Sequence, residues 1–261
     1  MAAREAEYGG TRPPFPARCF PRLREGTRRD RRWPMADGDA TADGGLVAAA
    51  VALTVATGAM DAISFLALGG VFTSVMTANL SLLGISAGAQ DPDRARDAAV
   101  AVAGFVAGAL LSARIVRGER PVRRTRWALG VEVLALGGLW AVWTSAGGDP
   151  GGGVRLGLLA VGALAHGWSE RSGARRRAAR DVHHLPHRTL TGLLVDVARD
   201  GRVRWVSLAL LASLVVGAAL GGLLVTYAAP AAPALPAGLV ALVLLVSFIP
   251  QGRAVWRRLS G

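Results

Sequence analysis

Leu46 to Leu68 is an apolar run of twenty-three residues broken by one charge, Asp61, and it is the first of several such runs. A helix needs about 20 apolar residues to cross the hydrocarbon core of a bilayer. Ala98–Val116, Trp127–Ala146, Trp205–Ala229 and Leu235–Pro250 approach or exceed that length. Leu156–Trp168 reaches it only when extended back through Val154 and Arg155. A chain of 261 residues that is 52% hydrophobic and 18% charged, with mean hydropathy +0.37, could not hide this much apolar surface in a water-soluble core. The expected fold is all-α: a multi-pass transmembrane helical bundle over residues 45–252, after a tail at 1–44 and before a short basic tail at 253–261.

The segment from Val71 to Gln90 is apolar enough to enter the bilayer yet carries Thr73, Ser74, Thr77, Asn79 and Ser81. On a continuous helix, Thr73, Thr77, Ser81, Gly84 and Gly88 recur every three or four residues and share one face. A hydroxyl in hydrocarbon needs a partner, so that face is expected to look into protein or a wet cavity. The segment follows a Gly69-Gly70 break. It can cross fully, giving seven spans, or dip in and return, giving six.

Charge supplies the orientation. The net charge is +12 and every basic residue is Arg, but these sit in short runs between apolar segments and match no groove-binding pattern, so nucleic acid is not an expected partner. Basic loops stay cytoplasmic. Loops 114–126 and 170–188 and the C-terminus are basic, whereas 147–153 and 228–234 have no Arg. The spans then alternate, with the C-terminus cytoplasmic and the Gln90–Asp97 patch outside.

Residues 1–34 hold nine Arg (4, 12, 18, 22, 24, 28, 29, 31, 32) and little apolar content, the composition of a disordered tail. Met35 is the expected start, with 1–34 untranslated; without them 21 Arg face 14 acids, +7. Cys19 is the single cysteine, so no disulfide framework is expected.

The two halves of the chain echo each other. ATGAMDA (56–62) lies over AVGALAH (160–166), MTANLSLLG (76–84) near LTGLLVDVA (190–198), and GFVAG (104–108) over GAALG (217–221). On the Arg-derived topology these halves run in opposite senses if the 71–89 segment re-enters from outside. That is an inverted repeat with a polar broken or re-entrant segment in each half.

TGAMDAISFLALGGVFTSVMTANLSLLG (57–84) resembles the YoaK family of bacterial integral membrane proteins, whose pattern is Gly-x-x-Asp-Ala, a Gly-Gly-x-Phe turn and Met-Thr-Gly-Asn. LTGLL (190–194) is a weaker echo. Ala78 stands where the family usually has Gly, and Leu164-Ala165 where a Gln-Asn pair is typical. The resemblance implies a multi-pass inner-membrane protein and, the family being one of unknown function, no particular chemistry.

Asp61 is the foremost candidate residue, since a carboxylate deep in an apolar helix costs about 2.5–3.5 kcal/mol on insertion scales and requires a partner or a proton. Thr73, Thr77, Asn79 and Ser81 are expected beside it on a solute path, with Thr191 and Asp196 as counterparts in the second half. Gly58, Gly104, Gly108, Gly162, Gly217 and Gly221 are expected at helix contacts. Glu132 is expected to pair with Arg126 or to reach outward, and His166 with Glu170 to make a structural contact. His183, His184 and His187 fit no standard metal site. No phosphate loop, dinucleotide fingerprint or catalytic triad is present, so the expectation is no enzyme, no cofactor and no metal. What remains is a transporter of a small solute or ion, with Asp61 coupling protons, or a non-transporting accessory protein bound to another chain or to a second copy as a homo-oligomer.

Overall fold

The computed structural model describes residues 44–115, 121–172 and 205–249. Both tails, the HHLPH stretch, Thr191 and Asp196 lie outside the described residues. Among those described, seven α-helices and one 3-10 turn occur, and no strand: α1 (Gly44–Ala67), α2 (Met76–Gly88), α3 (Pro92–Ile115), α4 (Pro121–Ser145), α5 (Gly152–Ser172), α6 (Trp205–Tyr227), the turn Ala229–Ala231 and α7 (Ala234–Val246). Five stretches are long and apolar enough to cross a membrane: Val47–Ala67, Pro92–Ile115, Thr125–Ser145, Trp205–Tyr227 and Ala229–Val246. At 21 residues α5 is as long, but it carries Arg155, Glu170 and Arg171. At 13 residues α2 is too short: about 20 Å of helix against a core of about 30 Å.

Local chemistry sets the boundaries. After Leu68, Gly69 and Gly70 take φ of +116° and +72°, a region that side chains with a Cβ rarely enter, and the chain turns out of α1. Gln90 closes α2 with φ +57°; the Gln90 and Asp91 amides bond back to Ala87 O and Ser86 O, the pattern of a left-handed C-terminal cap. Asp91 Oδ1 then accepts the Arg94 amide at 3.1 Å and Pro92 opens α3. The same cap recurs at the end of α4, where Gly147 and Gly148 bond back to Thr144 O and Trp143 O.

The helices pack in a definite order. α1 packs on α6 and α7, α3 on α2 and α5, and α4 on α5 and α7. Gly217 and Gly221 of α6 face Val55 and Ala59 of α1, so numbering advances together and the two run parallel. Gly104 and Gly108 of α3 face Ala160 and Leu164 of α5, again in parallel. α4 runs against its neighbours: Glu132 meets Ser169 while Leu139 lies near Gly162 of α5, and Arg126 meets Ser247 while Trp143 reaches Ala229, the two ends of α7.

The core between these helices holds Leu53, Met60, Ile63, Leu68, Leu129, Leu136, Leu139, Trp143 and Leu159. Leu134, Val215, Leu245 and Ile85 are exposed on the outer surface, as a lipid-facing belt requires. Trp127 is exposed as an interfacial Trp should be, but Trp143 is fully buried. Its indole N–H donates to Ala229 O at 2.7 Å and that of Trp140 to Pro230 O at 3.2 Å. The buried indole therefore ties α4 to the turn before α7 instead of anchoring in the headgroups, its N–H sharing the Ala229 carbonyl with the Ala232 amide.

Candidate functional site

The loop between α1 and α2, residues 68–75, is where polar groups converge. Its backbone has no helix or sheet to satisfy it, so side chains must. Asp61, one and a half turns before the end of α1, supplies two carboxylate oxygens. Oδ1 accepts the amides of Thr73 (2.9 Å) and Ser74 (3.0 Å) and the Thr73 hydroxyl (2.9 Å), and Oδ2 accepts the Ser74 hydroxyl. Asp61 is 7% exposed. Four donors on one carboxylate replace the water it loses on burial.

Asn79 does the same from the other side. Its Oδ1 accepts the Phe72 amide at 2.9 Å while its Nδ2 donates to Phe72 O at 2.6 Å, so one amide satisfies both backbone groups of one residue. The Phe72 ring stacks on Phe65 of α1, with centroids 5.2 Å apart. Residues 72–74 are thus held to α1 by Asp61 and to α2 by Asn79.

The loop also has depth. A Cβ on Gly69 would overlap the Asp97 carboxylate and the Arg155 guanidinium, near the starts of α3 and α5, and one on Gly70 would meet Arg94. Thr73 lies at Gly162, where a Cβ would stand 3.0 Å from Met60 Cε and 3.1 Å from Thr73 Cγ2. Arg155 and Gly162 are two turns apart, so from Gly69 to Thr73 the chain descends about 10 Å along the bundle. α2 then carries it back to Pro92.

Asp97 and Arg155 cover the top of this descent. The guanidinium Nη2 lies 2.8 Å from Oδ2 and 3.2 Å from Oδ1, joining α3 to α5, with the Asp97 side chain 3% exposed. Arg96 stands 3.6 Å from the same carboxylate. Further along α4 and α5, Glu132 is fully buried and accepts the Ser169 hydroxyl in a short bond, and His166 Nδ1 lies 3.0 Å from Gly162 O.

Asp61, Thr73 and Asn79 come together through residues 72–74, but Thr77 and Ser81 do not join them. Both are exposed, as are Gly84 and Gly88, and nothing lies within 4 Å of a Cβ built on either glycine. The stripe expected to face inward is on the outside of the chain. Residues 73–75 are not helical, so Thr73 is out of phase with the rest, and Asn79 fixes the rotation of α2 by its bonds to Phe72. Thr77 and Ser81, two residues to either side, lie about 200° around the helix from it. The buried residues of α2 are Asn79 and Ser86, with Leu82 and Leu83 packed against the core.

Glu132 is also placed differently from the expectation. It stays inside with Ser169, while Arg126 donates to Ser247 O at 2.5 Å and lies 4.6 Å over the Phe248 ring. Each candidate packing glycine meets another part of the chain: Gly58 at Leu214, Gly104 at Ala160, Gly108 at Leu164, Gly162 at Met60 and Thr73, Gly217 at Val55, Gly221 at Ala59. Gly167, against Phe105, is a further such contact, which the sequence marks only by the four-residue spacing of Ala163 and Gly167. The Asp97–Arg155 pair carries no local signal, its partners being 58 residues apart.

Helices of spanning length, apolar outward and held by glycine contacts, with a polar loop buried on a carboxylate, define an α-helical polytopic membrane protein. Among the described residues no group of three or more His, Cys, Asp or Glu is placed to hold a metal. The chain belongs to the family described as protein of unknown function (DUF1275), whose model matches residues 49–246; this is the family of the YoaK membrane proteins. No curated protein and no solved structure matches it.

Proposed function

We propose that this protein is a permease for a small solute or ion, built as an inverted repeat of three spans each in a bacterial cytoplasmic membrane, with a cytoplasmic C-terminus and no covalent chemistry. The single observation that carries the proposal is the helix pairing. Exchanging α1 with α5, α3 with α6 and α4 with α7 turns the contact α1–α6 into α3–α5 and α1–α7 into α4–α5, and leaves α4–α7 unchanged. The glycine contacts follow the same exchange: Gly217 and Gly221 on Val55 and Ala59 correspond to Gly104 and Gly108 on Ala160 and Leu164, within one residue of the alignment of 56–62 with 160–166.

Each exchanged partner runs in the opposite direction, as in transporters whose broken elements meet near the midplane. The 68–75 loop with α2 is then a re-entrant hairpin entered from outside. Asp61, the carboxylate in the first apolar run, is the residue through which a coupled proton would pass, and it holds the loop by four donors from Thr73 and Ser74. The test is flux into vesicles containing the purified protein, across a panel of small solutes and with a proton gradient. Flux above empty vesicles that Asp61→Asn abolishes without unfolding is the expected result. Folded protein that moves nothing overturns it.

The exposed Thr77, Ser81, Gly84 and Gly88 favour a second reading, a non-transporting accessory protein that packs α2 on another chain. Under that reading the substitutions Gly84→Leu and Gly88→Leu release a co-purifying partner and leave the vesicles as silent as before.

A further inference from the structure

Close backbone contact is not spread evenly over the bundle. In α1 and α6, a Cβ on Gly58, Gly217 or Gly221 would come within 3 Å of the facing backbone, and in α3 and α5 the same holds for Gly104, Gly108 and Gly167. Helices in backbone contact cannot slide or separate without losing dispersion along their whole length, since lipid offers no hydrophobic penalty to hold looser pairs together. The contact between one pair and the other is of a different kind. Met60 of α1 reaches Gly162 of α5 through a flexible thioether tip, and Thr73 through a methyl group.

We propose, on the footing of the transport function above, that the moving units are these two glycine-fused pairs, α1 with α6 and α3 with α5, and not the two sequence repeats. Each pair takes one helix from each repeat. They pivot about the α4–α7 contact, whose ends are fixed by Arg126 on Ser247 O and by Trp140 and Trp143 on Pro230 O and Ala229 O. The strap between them is the 68–75 loop: Asp61 holds it to the first pair, while Asn79 and the packing of α2 on α3 hold it to the second. The Gly69-Gly70 turn, beneath Asp97, Arg155 and Arg94, is where the strap bends. Asp61 is therefore a positioning residue, a latch that keeps the side where α3 and α5 begin closed.

The experiment is dipolar electron paramagnetic resonance on full-length protein in lipid nanodiscs, with Cys19→Ser and pairs of spin-labelled cysteines, continuous-wave for the short distances within each pair and double electron–electron resonance between the pairs. Leu66 with Leu223 reports within the first pair, Leu110 with Val161 within the second, and Leu223 with Asp93 between the pairs on the Gly69 side. The expected result is one narrow, unchanged distance for both internal pairs, and a second, longer population between the pairs when Thr73→Val and Ser74→Ala are introduced together. Asp61→Ala should do the same; the double substitution keeps the carboxylate in case that variant does not fold. If the Leu66–Leu223 distance lengthens while a Leu66–Asp93 pair stays fixed, the repeats are the moving units and the proposal is wrong. If no distance responds to loss of the Thr73 and Ser74 hydroxyls, the latch is wrong. Flux measured on the same protein separates the two proposals: silent vesicles with the expected distance changes defeat transport alone, and active vesicles with internal distances that change defeat this one alone.

Discussion

At the scale of single residues, two side chains, Asp61 and Asn79, carry the buried loop and one ion pair, Asp97 with Arg155, caps it. Asn79→Ala strips both partners from the partly buried Phe72 backbone, and at about 1–2 kcal/mol for each unmet group the expected loss of stability is about 2–4 kcal/mol. Asn79→Asp keeps the acceptor but sets a carboxylate oxygen against Phe72 O, so it should be no milder. Chemical unfolding in mixed micelles measures both, and an Asn79→Ala variant as stable as the native protein would mean the bonds to Phe72 contribute nothing. Asp97 and Arg155 allow a sharper measurement because the pair is mostly buried. Removing either partner strands the other, at about 3 kcal/mol for Asp97→Asn or Arg155→Gln, whereas replacing both with Leu recovers most of the loss. A double-mutant cycle with no coupling energy would show that Arg96 or solvent already neutralises Asp97.

Glycine spacing governs the elements. Gly108→Ala forces a methyl into the Leu164 carbonyl of a backbone-contacting partner, with an expected cost of about 1–3 kcal/mol. Gly84→Ala meets open space and trades a poor helix former for a good one, so it should be neutral or stabilising by up to about 1 kcal/mol. Thermal unfolding of the two variants side by side checks the contrast, and equal effects would mean that α3 and α5 are not in backbone contact. What the sequence made legible follows the same division. GFVAG and GAALG could be read because the residues that make a close helix contact lie four apart on one helix, and Asp61 because a charge in an apolar run needs a reason. The partners of Asp61 could not be read, since they sit on a loop whose backbone conformation depends on Gly69 and Gly70. Thr77 and Ser81 can lie on the outer face because a helical hydroxyl can bond to its own helix, as Ser81 Oγ does to Thr77 O at 3.2 Å, and so needs no partner from the rest of the protein; Thr73 is separated from them because residues 71–75 are not helix. Asp97 with Arg155, and Trp143 with Ala229, depend on which helices are neighbours, and no local pattern encodes that.

For the molecule as a whole, the proposed orientation rests on two unrelated kinds of observation that agree. The lack of Arg in the 147–153 and 228–234 connections is the reason to expect them outside. Separately, the run of α4 against α5 and α7 brings the 146–151 connection and the Ala229–Ala231 turn to one end of the bundle, where Trp140 and Trp143 join them. The parallel run of α3 with α5 then sets the α2–α3 turn at that same end, because α5 begins there. The six-span arrangement proposed above requires this, since a full crossing by Val71–Ala89 would put Gly88 at the opposite end from the Asp149 connection if α1 kept its place. With Cys19→Ser as background, single cysteines in place of Gly88, Asp149 and Ala231 should therefore react with a membrane-impermeant maleimide in intact cells. Cysteines replacing Ile115 and Ile249 should react only after permeabilisation. Labelling of Gly88→Cys from the opposite side to Asp149→Cys would break the inverted arrangement, and with it the re-entrant hairpin, even if every helix contact described above survived.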